Sequence, residues 1–212
     1  MQIAIALFDD FTALDAVGPY EVLSRLPDAQ VVFCSFQRGV VRTDMGSLGI
    51  EVDATLDEVA SPDIVVVPGG PGTRPLMSDD RMLDWIRRVH AGSTWTTSVC
   101  TGSLLLGAAG LLDGLEATGH WAAMDVLAST GAVPSPRRVV VDTPHRIVTA
   151  AGVSSGIDMA LTLAGLVAGD DFGKAIQLGI EYDPQPPYDA GSPDKAPPAL
   201  VELVRAAAPK MN

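Results

Sequence analysis

Short apolar runs alternate with segments of helical spacing along most of the chain. These runs are rich in residues that favour strands, and they predict strands at 2–8, 31–36, 63–68 and 94–99, and two hairpins at 40–43 with 49–52 and at 139–142 with 146–150. The helical spacing predicts helices at 14–26, 79–90, 101–112, 118–130, 154–167 and 171–181. Strands that alternate with helices are typical of an α/β fold, here a mostly parallel sheet sandwiched by helices.

Three details sharpen this prediction. The strand at 31–36 is nearly all apolar, which is typical of a strand buried on both faces. Pro19 falls within the first predicted helix, where proline is tolerated only near the first turn, and Pro27 ends that helix. Asp79 stands at the position where a helix N-cap is expected.

The chain has 212 residues, enough for one sizeable core. No internal repeat or linker divides it, so we expect a single domain over 1–212. Segment 183–198 is rich in Pro and Gly, and we expect it to lie without regular structure over the surface or a neighbouring subunit. A short helix at 198–208 is expected to close the chain.

The balance of charge argues against several classes of partner. Fourteen Lys and Arg against 26 Asp and Glu give a net charge of −12, which disfavours nucleic acids and anionic membranes. The apolar runs are far shorter than the roughly 18 residues of a membrane span, and the first residues do not resemble a secretion signal. We therefore predict a cytoplasmic protein in which Cys34 and Cys100 are reduced.

Cys100 is the candidate nucleophile. It ends a predicted strand and is followed by Thr-Gly-Ser and a helix, which is the pattern of a nucleophile elbow. Gly102 and Ser103 are small enough for a sharp turn, and the helix N-terminus would favour an exposed thiolate of low pKa. Cys34, inside an apolar strand, is expected to be only a small buried hydrophobic residue.

The acid–base partner of Cys100 must come from elsewhere, because Thr101 rather than histidine follows it. Asp15 follows the first strand and lies at the start of the first helix, at the edge of the sheet where ligands of α/β proteins gather. Its position alone equally fits a helix N-cap. Glu21 and His120 are further candidates; His120 would line the site or only cap and pack the helix it begins.

The turn Val67-Pro-Gly-Gly-Pro-Gly72 follows a central predicted strand. It is either a structural turn or, through a backbone N–H, a donor to developing negative charge. The sequence contains no GxGxxG, no P-loop and no metal-ligand spacing, so we predict neither a nucleotide nor a metal.

Five segments together resemble the ThiJ/PfpI superfamily, whose flavodoxin-like fold is shared with class I glutamine amidotransferases. They are LDAVGPYEVL, VVVPGGPG, TSVCTGSLLLGAAGLLDG, ATGHWA and SSGIDMALTLAG, and they span nearly the whole chain. The resemblance implies an elbow cysteine in an unfavourable backbone conformation and a homodimer. ATGHWA departs from the pattern at Gly119, where relatives often carry Thr, so a different pocket edge is expected.

Within the superfamily, Cys-Thr-Gly in place of Cys-His-Gly is similar to isonitrile hydratases and to the sensor half of AraC-type regulators. The tail EYDPQPPYDAGSPDKAP also resembles that of the hydratases. The resemblance implies Cys100 as nucleophile, Asp15 as acid–base carboxylate, and Thr101 and Gly70 as positioning groups. It implies a small isonitrile as substrate and no cofactor.

Two alternatives remain open at this stage. One is a non-catalytic protein that senses a ligand or a redox signal through Cys100. The other is a glyoxalase- or deglycase-like enzyme, which the missing histidine after Cys100 disfavours, as it disfavours a protease. The R group of an isonitrile substrate is not fixed by the sequence.

Overall fold

The computed structural model of the protein describes residues 1–207 and has a central sheet whose four middle strands are almost entirely buried. Short side strands complete it or form separate pairs. The strands are β1 (Gln2–Ala6), β2 (Gln30–Ser35), β3 (Gly39–Arg42), β4 (Gly49–Val52), β5 (Ala54–Thr55), β6 (Ile64–Val67), β7 (Trp95–Val99), β8 (Glu116–Ala117), β9 (Val133–Pro134), β10 (Val139–Asp142) and β11 (Ile147–Ala150).

The seven-stranded sheet has the order β10-β11-β7-β6-β1-β2-β5. All neighbours in it are parallel except β10 and β11, which form an antiparallel hairpin. β3 and β4 form the other predicted hairpin outside this sheet. The mostly parallel sheet predicted from the sequence is therefore confirmed.

Helices follow the strands in the alternation that the sequence predicts. Asp79 caps α3, because its side chain accepts a hydrogen bond from the backbone N–H of Met82, as expected. The helices are α1 (Ala13–Leu23), α2 (Thr73–Leu76), α3 (Asp80–Gly92), α4 (Gly102–Ala108), α5 (Met124–Ser129), α6 (Ser155–Ala168), α7 (Asp170–Gly179) and α8 (Pro198–Ala207).

The strand order contains a topological switch point between β1 and β6. From β1 the chain moves to β2 in one direction across the sheet, and from β6 it moves to β7 in the other. Because such crossovers are right-handed, α1 and α3 cover opposite faces of the sheet. α1 packs against α6, and α3 packs against α4. The carboxyl ends of β1, β6 and β7 therefore border the crevice where α/β proteins bind ligands.

Three predicted helices are shorter than expected. The helix predicted at 14–26 ends at Leu23, so Pro27 does not end it. The helix predicted at 101–112 ends at Ala108, and Gly110 beyond it has a φ of 80°. The helix predicted at 118–130 is wrong in its first half. Thr118 donates its backbone N–H to Thr149 Oγ1 at 2.9 Å, so the chain is still extended there, and α5 begins only at Met124.

Two further expectations are wrong in ways that packing explains. Pro19 lies in the middle of α1, not in its first turn. Its ring packs against α6, where a Cβ at Gly156 would lie 3.2 Å from the ring. β2 is not buried on both faces; its first residue is exposed and the next three are half-buried, because only the two-residue β5 covers its outer side.

The segment 183–197 forms no helix or strand and is mostly exposed. α8 follows it, as predicted; the last residue of that prediction, Ala208, lies outside the described residues. α8 exposes Leu200, Leu203 and Val204 to between 47% and 65%. No helix within the described part of the chain has the length and apolar character needed to cross a membrane.

Candidate active site

Cys100 lies at a nucleophile elbow, as the sequence predicts. It follows β7 directly and has a φ of 59°, a left-handed conformation that costs an L-residue about 1–2 kcal/mol. Its backbone N–H donates to the carbonyls of Ala150, at 3.1 Å, and Ala151, at 2.8 Å, which hold the turn in place. α4 begins two residues later, so the elbow joins a central strand to a helix.

The thiol of Cys100 differs from the exposed thiolate that the sequence leads one to expect. Its residue is only 5% exposed. Burial, and then the negative charge of Asp15, raise its pKa to about 12, although hydrogen bonds from the backbone of Val153 and Thr101 act in the opposite direction. Cys100 is therefore a thiol at neutral pH, and it needs a base to become a nucleophile.

Asp15 is fully buried in the first turn of α1. The N-cap of that helix is Thr12, so the N-cap role considered for Asp15 is not what the structure contains. Its Oδ2 accepts a hydrogen bond from the backbone N–H of Gly69 at 2.9 Å. Oδ1 has no hydrogen-bond partner among residues 1–207.

Burial dominates the acidity of Asp15 and raises its pKa to about 7. The hydrogen bond from Gly69 and the neighbouring Cys100 thiol lower the pKa of Asp15, whereas the charge of Asp44 adds to the increase. A carboxyl group with a pKa near neutrality both accepts and donates protons readily at physiological pH.

Gly70 and Thr101 bind each other. The N–H of Gly70 donates to Thr101 Oγ1 at 2.9 Å, and the Thr101 hydroxyl lies 3.2 Å from both the Gly70 carbonyl and Thr73 Oγ1. The Gly70 N–H is thus occupied, so the prediction that it stabilises developing negative charge is not supported. Gly70 has a φ of 133°, which explains why this position is a glycine.

Gly69 makes the closest approach to the site. A Cβ at this position would lie 2.5 Å from the backbone nitrogen of Thr101 and 2.8 Å from both Asp15 Oδ2 and Cys100 Cβ. The space between the elbow and the carboxyl group is therefore available only to a residue without a side chain. The Gly-Gly pair was the sequence signal for this close approach, but the residue predicted from it was Gly70 and not Gly69.

His120 is brought to the site and Glu21 is not. The Nδ1 atom of His120 accepts a hydrogen bond from the backbone N–H of Ala122 at 3.2 Å, which requires the tautomer with hydrogen on Nε2. Burial and the charge of Arg74 lower its pKa, so His120 is neutral at physiological pH. Glu21 is exposed and pairs with Arg25 at 2.6 Å.

A cavity of about 340 Å³ opens next to Cys100, the size of a site for a small organic molecule. Polar residues on its wall include Thr101, His120 and Arg74, and α8 contributes Val204. Asp15 does not line this cavity. It therefore reaches a molecule bound there only past the side chain of Cys100. Among residues 1–207 there is no group of three or more His, Cys, Asp or Glu residues that would hold a metal ion.

A second cavity, of about 630 Å³, lies on the other side of His120, which lines both. Gly119 forms part of its edge. A Cβ at Gly119 would lie 2.4 Å from Ser103 Oγ and 2.9 Å from the Cys100 carbonyl oxygen. Position 119 departs from the family pattern because the Ser103 hydroxyl fills the space that a side chain there would need.

The fold and the elbow define an α/β protein whose central strand presents a strained cysteine at a cavity. The chain belongs to the DJ-1/PfpI family, whose model matches residues 1–165.

Known relatives agree with this assignment. The chain is 46% identical to the isonitrile hydratase of Pseudomonas putida over 213 aligned residues, covering 100% of the chain and 92% of that protein. It is 27% identical to the deglycase PfpI of Pyrococcus furiosus over 67% of the chain and 86% of that protein. The crystal structure of a ThiJ/PfpI family protein from Pseudomonas syringae superposes with a TM-score of 0.92 at 36% identity, covering 97% of this chain and 85% of that one.

Proposed function

We propose that the protein is an isonitrile hydratase, which adds water to R–N≡C to give an N-substituted formamide. The carrying observation is the buried pair of Cys100 and Asp15 beside a cavity that fits a small molecule. Full-length similarity to a hydratase, at 46% identity, supports the substrate class. The reaction needs a nucleophile and a proton at one carbon atom, which this pair supplies.

In the first step the ionised Asp15 accepts the Cys100 proton as sulfur attacks the terminal carbon of the isonitrile. The S–C bond forms with the electron pair freed from the thiol. Asp15 then passes that proton to the same carbon, which gives a thioimidate, R–N=CH–S–Cys100. Proton transfer by a carboxyl group with a pKa near 7 is efficient in both directions.

In the second step water attacks the thioimidate carbon. Asp15, ionised again, relays one water proton to the nitrogen as the C=N bond opens. The C–S bond then breaks as the hydroxyl becomes a carbonyl, and the remaining proton returns to sulfur through Asp15. The products are R–NH–CHO and the Cys100 thiol, so the residues end in their starting states.

Thr101 and Gly70 act in this proposal as positioning residues, and His120 as a wall of the substrate site. The hydrogen bonds between Thr101 and Gly70 support this role, because they fix the residue that follows the nucleophile. The neutral His120 uses Nδ1 to cap its own turn, which leaves Nε2–H as its free donor. No cofactor takes part.

The sensing alternative is less well supported. A peroxide sensor needs a thiolate of low pKa that solvent can reach, whereas Cys100 is 5% exposed and has a pKa raised to about 12. A deglycase-like reaction is disfavoured because Thr101 stands where an adjacent histidine base would be.

We further propose a single-domain, cytoplasmic homodimer. The exposed apolar residues Leu200 and Leu203 of α8, 47% and 65% exposed, support association through this helix. Cys34 and Cys100, both buried and unpaired, support a reducing compartment. Light scattering coupled to gel filtration tests the dimer, which a mass near 22.1 kDa would exclude.

The decisive experiment is an assay of the purified protein with a simple alkyl isonitrile, following the formamide by NMR. Wild type should produce it, and Cys100→Ala should not. Cys34→Ala is the matched control, because Cys34 is buried in β2 away from the cavity, and it should retain turnover. Formamide at the wild-type rate from Cys100→Ala would exclude the covalent mechanism, and none from wild type would exclude the function.

A further inference from the structure

Arg74 is a half-buried cation that the proposed reaction does not use. It lies in the short helix α2, immediately after the Gly-rich turn that follows β6. Its Nη1 atom is inaccessible to solvent and has no hydrogen-bond partner among residues 1–207. Buried guanidinium nitrogens are normally satisfied, since leaving one unpaired is costly, so this atom requires an explanation.

Arg74 belongs to the cavity that contains the nucleophile. It lines that cavity together with Cys100 and His120. Arg74 interacts electrostatically with both neighbours. Its charge lowers the pKa of His120. Burial lowers the pKa of Arg74 itself, and the negative charge of a Cys100 thiolate opposes that effect. The unpaired guanidinium is thus close to the position that a substrate attached to Cys100 would occupy.

Among residues 1–207 no carboxylate forms an ion pair with this guanidinium. Asp44 is the carboxylate on the same cavity wall, but it accepts a hydrogen bond from Thr12 Oγ1 at 2.7 Å. The rest of the wall near the elbow, Ala122, Ala123 and Val153, is apolar.

We propose that Arg74 is a specificity-determining residue that binds a carboxylate on the R group of the substrate, so that the enzyme acts on isocyano carboxylic acids. This inference rests on the proposed hydratase function. A guanidinium matches a carboxylate through two parallel N–H···O bonds, which a neutral alkyl group cannot replace. A substrate carboxylate would give Nη1 the acceptor that residues 1–207 do not supply.

Binding measurements test whether Arg74 holds the substrate carboxylate, here called the carboxylate anchor, without requiring turnover. The probes are ω-formamido carboxylates with two to four methylene groups, which are the expected products, and their methyl esters. Calorimetry with wild type should show at least one acid binding about 10- to 100-fold more tightly than its ester. In Arg74→Met this preference should fall to about one, and Arg74→Lys should keep part of it, because lysine retains the charge without the planar fork.

Arg88→Met is the matched control. Arg88 is an exposed arginine of α3 outside the cavity, so this variant removes the same charge and should retain the wild-type preference. Melting curves establish that each variant is folded, and Arg74→Lys still decides the matter if Arg74→Met does not fold. Equal binding of acid and ester by wild type, or a full preference in a folded Arg74 variant, would overturn the anchor.

Turnover separates this inference from the function on which it rests. Wild type should hydrate the isocyano carboxylate with a kcat/KM about 10- to 100-fold above that of its methyl ester. If the ester is hydrated without any preference for the acid, the anchor is wrong and the hydratase function stands. If the formamido acid binds through Arg74 but neither isonitrile is hydrated, the carboxylate site stands and the proposed function is wrong.

Discussion

The side chains of Asp15 and Cys100 lie next to each other beneath Gly69, and each changes the acidity of the other. Burial and the Asp15 charge raise the pKa of Cys100 to about 12. Burial also raises the pKa of Asp15, to about 7, against the lowering effects of the Gly69 N–H and the neighbouring Cys100 thiol. Between these values the pair holds one proton. It therefore titrates as a unit.

Burial of Asp15 makes the stability of the protein depend on pH. Its pKa is about 7 in the folded protein and 3.8 without burial, so the folded state binds the proton more tightly. The resulting stabilisation is complete below 3.8 and is lost as the pH rises through 7. Asp15→Asn has no such dependence, so its stability relative to wild type should increase by on the order of 2 kcal/mol between pH 5 and pH 8.

Thermal or urea unfolding at the two pH values measures this change. Asp171→Asn is a suitable control, because Asp171 is an exposed residue of α7 whose ion pair with Lys174 lies at the surface. Its stability relative to wild type should be nearly the same at both pH values. If Asp15→Asn behaved in the same way, Asp15 would not be the buried group of raised pKa described above.

Hydrophobic patterning was sufficient to predict the central part of the fold. β1 and β6 are short apolar runs bounded by polar residues or Pro, and β7 is a run of β-branched and aromatic residues that ends at the elbow, so each is recognisable as a strand. β5 and β8 have two residues each, too few for any pattern, and they form only because a neighbouring strand offers a free edge. The helix predicted at 118–130 fails at its start, where a tertiary hydrogen bond from Thr118 overrides local preference, and only a short 3₁₀ helix at Trp121–Ala123 precedes α5.

The candidate site was predictable in identity and less so in chemistry. The strand–Cys–Thr–Gly–helix pattern identified Cys100, and parallel topology brought Asp15 to the same edge of the sheet. The acidities were not predictable, because the pKa values of Cys100 and Asp15 depend on burial and on each other. Arg74 was missed because a single charged residue after a Gly-rich turn is usually a surface residue.

Cys100 should react slowly with thiol reagents at neutral pH. A thiol with a pKa of about 12 has very little thiolate at pH 7, so iodoacetamide should modify it far more slowly than free cysteine. The rate should rise about tenfold per pH unit up to at least pH 9. Mass spectrometry of digested protein gives the rate at each cysteine.

Cys34 provides the internal comparison for this measurement. It is fully buried with a pKa also raised to about 12, but it does not line the cavity, so it should react later than Cys100. Peroxide should give the same order. Rapid labelling of Cys100 at pH 7, at the rate of an exposed cysteine, would show that its thiol is ionised and that Asp15 is not needed to remove its proton.

The proposed mechanism also predicts an unusual pH profile. The active form of the pair holds one proton, as Asp15 carboxylate and Cys100 thiol. Below about pH 7 Asp15 takes up a second proton, so kcat/KM for a neutral alkyl isonitrile should fall about tenfold per pH unit. It should be constant from about pH 8 to pH 10, because Cys100 does not ionise there. An ordinary carboxylate would place the acid limb near pH 4 instead.

Asp15→Asn tests whether this limb belongs to Asp15. The amide retains an acceptor for the Gly69 N–H but cannot relay a proton, so kcat/KM should fall by about 10²–10⁴-fold and lose its dependence on pH near 7. Asp15→Glu should restore little, because Gly69 and Cys100 leave no room for an extra methylene group. An Asp15→Asn protein that kept the limb near pH 7 would assign that ionisation to another residue. If Asp15→Asn had the kcat/KM of wild type, Asp15 would have no part in the mechanism. His120 would then be the candidate for proton transfer, because it lines the cavity whereas Glu21 pairs with Arg25 at the surface.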